Sequence, residues 1–67
     1  MSSGFPMEVD GIPVQVNYSW DDEAQDVDEF NVYLAIDTRQ EQDIYNLLNG
    51  RQEREVYTRI LEDVKNG

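Results

Sequence analysis

Apolar residues fall on every second position through the first half of the chain and on every third or fourth position through the second. Ile12, Val14, Val16, Tyr18 and Trp20 alternate with Pro13, Gln15, Asn17 and Ser19, the period of a strand with one face on a core. Phe30, Val32, Leu34 and Ile36 repeat the pattern against Asn31, Tyr33, Ala35 and Asp37. Residues 20–29 between them are too charged to pack, so they predict a long acidic loop joining two antiparallel strands. Upstream, Asp10-Gly11 is a two-residue hairpin signal, because a type I′ turn needs positive φ at both central positions. A short strand over about Pro6–Val9 then precedes the main one, and residues 1–5 read as a flexible lead-in. Pro13 has no amide to donate, so its nitrogen must face a side with no partner.

The period changes near Thr38. Thr38-Arg39-Gln40-Glu41 has the form of a capping box, with Thr38 and Glu41 each reaching the other's amide. Ile44, Leu47 and Leu48 follow at helical spacing, and Asn49-Gly50 supplies a C-terminal stop. A second helix is predicted over about Arg51–Val64, with Val56, Ile60, Leu61 and Val64 as its apolar stripe and Tyr57 at the edge. One helix kinked at Gly50 is the alternative, at a cost of about 1 kcal/mol for the glycine. Glu55 and Arg59 stand four apart in the favourable order for pairing. The apolar face of the sheet needs a cover, and the only apolar cover is the helical end. The expected architecture is α+β: a two- or three-stranded antiparallel meander packed against one or two C-terminal helices, in one domain over residues 1–67.

Charge adds a second pattern. The 67 residues carry 15 acids and 5 bases, a net charge of −10. Residues 1–38 hold nine of the acids and no base, and the remainder hold six acids against five bases. The front half is thus strongly anionic and the back half nearly neutral. The densest stretch is Asp21, Asp22, Glu23, Asp26, Asp28 and Glu29. Such a balance repels nucleic acid and anionic membranes and favours a protein partner with a basic surface. No apolar run approaches the roughly 18 residues of a membrane span. The first residues lack the charged and apolar regions of a signal peptide, so a soluble, cytoplasmic protein is expected.

The chain has no histidine and no cysteine. It therefore lacks the usual general base, a thiolate nucleophile and the Cys/His ligands of zinc, and no Gly-rich phosphate loop is present. The paired carboxylates Asp21/Asp22 and Asp26/Asp28 would need a concave, partly apolar setting to act in acid–base catalysis. Neither an enzymatic role nor a cofactor is expected. Asp22, Asp26 and Asp28 are of the type that ligates calcium, but the segment has no glycine and the wrong spacing for an EF-hand loop. The acidic segment then has two plain readings: a solvated connection, or a phosphate mimic that occupies the groove of a nucleic-acid-handling protein. Trp20 fits either the edge of the core or an aromatic anchor at an interface, where Trp and Tyr are enriched. Tyr33 falls on the polar parity of its strand, facing the open side of the sheet or a partner. The candidate partner-binding set is Glu8, Trp20, Asp21, Asp22, Glu23, Asp26, Asp28, Glu29 and Tyr33. Arg51, Arg54 and Arg59 are interleaved with acids and read as intrahelical partners of Glu55, Glu62 and Asp63.

The run from Met7 to Ser19, with its Val9-Asp10-Gly11 turn and a strand ending in tyrosine, is followed by an acidic segment, a second strand and a helical end with the pair Leu47-Leu48. In this outline the chain resembles small acidic bacteriophage proteins. The resemblance implies an origin in a phage and a role in disabling host machinery by binding it, some such proteins imitating DNA; it carries over no active-site residue. Two functions are expected from these patterns. One is a binding inhibitor of a basic, nucleic-acid-handling host protein, acting by DNA mimicry. The alternative is a structural or adaptor module that self-associates through apolar surface as a homodimer.

Overall fold

The computed structural model describes residues 2–66. Strands β1 (Ser2–Val9), β2 (Ile12–Asp21) and β3 (Asp26–Leu34) form an antiparallel meander in the order β1-β2-β3, and one helix, α1 (Gly50–Asn66), follows. The α+β arrangement is the one the periodicity predicts. Asp10 (φ 52°) and Gly11 (φ 83°) make the first turn, with Val9 opposite Ile12. The positive φ values at both positions are what the Asp-Gly pair supplies.

β1 is longer than the pattern predicts. Residues 2–5, expected as a flexible lead-in, pair with β2 from Ser2↔Ser19 onward. Apolar alternation does extend to Phe5, but Ser3 and Gly4 carry no apolar signal. Gly4 leaves room there for two polar side chains: a Cβ at this position would lie 2.6 Å from Asn17 Oδ1 and 2.9 Å from Gln15 Nε2. Pro13 sits where the ladder runs out. Its carbonyl accepts from Ala35, one residue past the end of β3, at 3.0 Å, and hydrogen-bonding pairs alternate along an antiparallel ladder. Its nitrogen points to the same side as that carbonyl, toward Ala35 just beyond the end of β3 and away from β1, so the missing amide breaks no bond within the β1–β2 ladder.

The acidic segment is not a ten-residue loop. β2 and β3 continue to Asp21 and from Asp26, leaving Asp22-Glu23-Ala24-Gln25 as the turn. The reason is a bulge. Ser19 faces Glu29 and Trp20 faces Val27, so Asp28 is an extra residue on β3. It shifts parity by one, which puts Val27 on the same face as Phe30 and lets the strand run on through charged sequence.

Phe5, Met7, Val9, Val14, Val16, Tyr18 and Val32 bury one face of the sheet, covered by Val56 and Ile60 of α1. Trp20, Val27, Phe30, Leu34, Ile44, Leu48 and Val64 pack around this core. Val56, Ile60 and Val64 recur at four-residue spacing and form the helix stripe. Leu61, expected within it, is 40% exposed.

Residues 38–49 do not form the first predicted helix. Gln40 has φ 54°, which a helix does not admit. The capping box at Thr38 is displaced because Asp37 accepts from the amides of Glu41 and Gln42 at 3.2 and 2.9 Å. A single 3-10 turn, Tyr45–Leu47, stands where Ile44, Leu47 and Leu48 suggest more. The capping box is found instead at Asn49: its Oδ1 accepts from the Gln52 amide at 2.9 Å, and Gln52 Oε1 accepts from the Asn49 amide at 3.0 Å. Asn49-Gly50 therefore starts a helix rather than ending one.

This irregular segment folds around the outer edge of β3. Asn17 donates to Gln40 Oε1 at 2.8 Å and Asn31 to Asp43 Oδ2 at 2.7 Å on the polar face. Val32 donates its amide to Asp43 Oδ1 at 3.1 Å, and the Ile44 amide donates to the Val32 carbonyl at 2.7 Å. Burial acts to raise the Asp43 carboxyl, but hydrogen bonds from Asn31, Tyr45 and Val32 outweigh it and hold it below the usual aspartate range. The edge of β3 is thus closed toward its C-terminal end, at Val32 and Leu34. No backbone hydrogen bond from another segment reaches the outer edge of β1 among the described residues.

Candidate partner-binding surface

Seven of the nine candidate residues gather at the far end of the β2–β3 hairpin: Trp20, Asp21, Asp22, Glu23, Asp26, Asp28 and Glu29. Like charges directly opposite are unfavourable in a sheet, and Asp21 faces Asp26. Local donors rather than bases hold them. Asp21 Oδ1 accepts from the amides of Glu23 and Ala24 at 3.0 and 3.3 Å, which fixes the turn. Asp26 Oδ1 accepts from the Val27 amide at 2.7 Å and from the Tyr57 hydroxyl at 2.6 Å. The Tyr57 bond, followed by the Val27 amide, keeps the Asp26 carboxyl below its ordinary range. The same bond pushes the Tyr57 hydroxyl up.

Asp22, Glu23, Asp28 and Glu29 are exposed. Among the described residues none of these four is in an ion pair; the bridges are Arg39–Glu41, Arg51–Asp10, Arg51–Glu55 and Arg59–Glu62. The expected Glu55–Arg59 pair is not formed, because Glu55 faces Arg51 and Arg59 turns to Glu62. Asp63 does not serve an arginine either: its Oδ2 accepts from the buried Tyr18 hydroxyl at 2.6 Å. Burial, then the Asp63 bond, raises the Tyr18 hydroxyl above its usual value. No group of three or more ligating side chains is placed to hold a metal ion among the described residues.

The other two candidates lie apart. Glu8 pairs with Pro13, and Ser19 pairs with Glu29. Six residues of β2 separate these positions, roughly 20 Å at strand rise. Tyr33 is on the polar face opposite Gln15, half-buried and away from the turn. Asp10, at the Glu8 end, is already neutralised: Arg51 Nη2 donates to both of its oxygens at 2.9 and 2.7 Å, and Gln52 Nε2 donates at 2.7 Å. Arg51, then Gln52, hold the Asp10 carboxyl below its ordinary range.

Sequence reading misses the aromatic side of this surface. Phe30 and Tyr45 meet edge to face, with ring centroids 4.9 Å apart and planes at 89°. Together with Tyr57 they wall a groove that begins at the acidic hairpin end and continues between β3 and α1. The charge of Glu53 beside it raises the Tyr45 hydroxyl. Tyr57 and Asp26 are 31 positions apart, so no spacing rule joins them. The only available signal is that both tyrosines flank apolar stripes.

No protein-family model, curated protein or solved structure matches this chain. Among the described residues no helix is long and apolar enough to cross a membrane.

Proposed function

We propose that this chain is a small non-enzymatic binding protein whose β2–β3 hairpin end docks on the basic surface of a nucleic-acid-handling protein and blocks it by presenting carboxylates in place of phosphates. One observation carries the reading. Asp22, Glu23, Asp28 and Glu29 are exposed at the hairpin end and form no ion pair within the described residues. An unneutralised anionic end steers a cationic partner from a distance, and that attraction falls with salt. The cytoplasm of a phage-infected cell is the setting the sequence resemblance suggests.

The test is capture from a nuclease-treated bacterial lysate. The wild-type chain retains a basic protein at low salt, and duplex DNA elutes it. A variant with Asp22→Asn, Glu23→Gln, Asp28→Asn and Glu29→Gln loses it while keeping its circular dichroism. Asp21 and Asp26 stay native in this variant because they hold the turn. Undiminished capture by the variant, or a captured protein that DNA does not displace, refutes the reading. A second reading, self-association as a homodimer, is favoured by the open outer edge of β1. Sedimentation at several concentrations decides it, and a strict monomer at high concentration removes it.

A further inference from the structure

The groove beside the hairpin encloses about 310 Å³. Its walls are the rings of Phe30, Tyr45 and Tyr57, and its rim is Asp26, Asp28 and Glu29. No lysine or arginine lines it. Arg51, Arg54 and Arg59 line a different groove on α1 with Glu55 and Thr58. Asp26 Oδ1 accepts from the Val27 amide and the Tyr57 hydroxyl, which holds the carboxylate at the mouth of the groove. An aromatic wall with a carboxylate rim complements one kind of side chain: a long apolar stem that ends in a delocalised cation. A guanidinium stacks on an aromatic face and donates several N–H bonds in its own plane. An ammonium does the first less well and lacks the planar fork.

The geometry points to this groove as the seat of an arginine side chain from a basic segment of the partner protein. The assignment rests on the proposed function and adds to it the group recognised and the place. The guanidinium stacks against the tyrosine walls, and its N–H groups meet the Asp26, Asp28 and Glu29 carboxylates. Bulk negative charge would bind any polycation; this site distinguishes arginine from lysine.

Titration of the 15N-labelled chain with octa-arginine and with octa-lysine tests it. Octa-arginine is expected to bind about three- to tenfold more tightly, with shift changes concentrated at residues 26–30, 45 and 57. Tyr45→Leu keeps an apolar contact for Phe30 and removes the aromatic face. It reduces octa-arginine affinity about three- to tenfold and leaves octa-lysine nearly unchanged. Should that variant lose its dispersed spectrum, Asp28→Asn with Glu29→Gln takes its place and lowers octa-arginine affinity about tenfold. Glu62→Gln, in a different groove with Phe5 and Arg59, changes it less than about twofold. Equal affinity for both peptides, or shifts spread evenly over the acidic residues, overturns the groove. In that case the hairpin reading still stands if the four-amide variant loses its DNA-displaceable partner. Octa-arginine seated in the groove, with no such partner captured, supports the groove and rejects the mimic.

Discussion

Replacing Gly4 by alanine tests how the polar face of the sheet is held. The new Cβ arrives 2.6 Å from Asn17 Oδ1, 2.9 Å from Gln15 Nε2 and 3.1 Å from the Val16 carbonyl oxygen. The first two atoms are side-chain ends and can swing away. The third is backbone and must give by a few tenths of an ångström. When Asn17 swings, it forfeits the bond received from Gln15 Nε2 at 3.2 Å and the bond it donates to Gln40 Oε1 at 2.8 Å. At about 0.5–1 kcal/mol each, these are worth about 1–2 kcal/mol. Against them, alanine restricts the unfolded chain and returns about 0.4–1 kcal/mol. The net expectation for Gly4→Ala is a loss of about 0.5–1 kcal/mol. In an Asn17→Ala background the nearest contact is gone, Gln15 can swing without an Asn17 bond to lose, and only the Val16 carbonyl at 3.1 Å still has to give, so the same change is neutral or stabilising by up to about 0.5 kcal/mol. The coupling between the two sites is therefore about 0.5–1.5 kcal/mol. Urea unfolding followed by Trp20 fluorescence reads all four corners of the cycle. An equal cost in both backgrounds, or a Gly4→Ala that stabilises on its own, refutes the assignment of Gly4 to the Asn17 contact.

Other predictions concern the core, the cap and the two ends of the pH scale. Ile60→Ala, at a fully buried position, costs about 2–5 kcal/mol. A chain of this size has about 3–10 kcal/mol in total, so the urea midpoint should fall by at least about a fifth. Asn49→Ala removes the acceptor for the Gln52 amide and costs about 1 kcal/mol, whereas Thr38→Ala stays within about 0.5 kcal/mol; comparing their urea midpoints checks which residue caps. The folded carboxyls of Asp10, Asp26 and Asp43 lie below their unfolded values. Their contribution is present above the unfolded value near pH 4 and is lost as pH falls through the lower folded values. The hydroxyls of Tyr18, Tyr45 and Tyr57 are raised, so their contribution is full below about pH 10 and is lost as pH rises through the higher folded values. Thermal midpoints should therefore fall on both sides of a plateau, and Tyr18→Phe should flatten the alkaline fall.

The two long strands and the helix stripe were legible because period two and period 3.6 leave direct marks on apolar positions. Asp10-Gly11 was legible because few other dipeptides admit its φ values. The start of β1 was not, since Ser3 and Gly4 owe their strand conformation to pairing with β2 rather than to their own side chains. Asp28 hid the beginning of β3: one inserted residue reverses parity, so Val27 falls out of step with Phe30 and reads as loop. Between Thr38 and Asn49 the capping box at Thr38 fitted the sequence pattern, while the one that forms uses Asn49 and Gln52, and Asn49 reads as a helix stop because Gly50 follows it. Asp37 and Asp43 decided the matter by capturing amides that a helix would have used. At the candidate surface the acids were legible as a run, while the meeting of Phe30, Tyr45 and Tyr57 depends on how α1 crosses the sheet.

The segment that wraps the outer side of β3 has a consequence for assembly. A sheet with two free margins can extend indefinitely, each added chain offering a new margin to the next. Here Asp43 and Ile44 occupy the backbone groups of Val32 and Asp37 takes the Leu34 carbonyl, so among the described residues the β1 margin is the one open along its whole length. Two chains that join there use up that margin on both, giving a closed pair with the wrapped sides outward. Growth into a fibre would first require peeling the 37–44 segment away. The aspartates of this segment, which break the predicted helix, thus also obstruct strand addition at that end of β3.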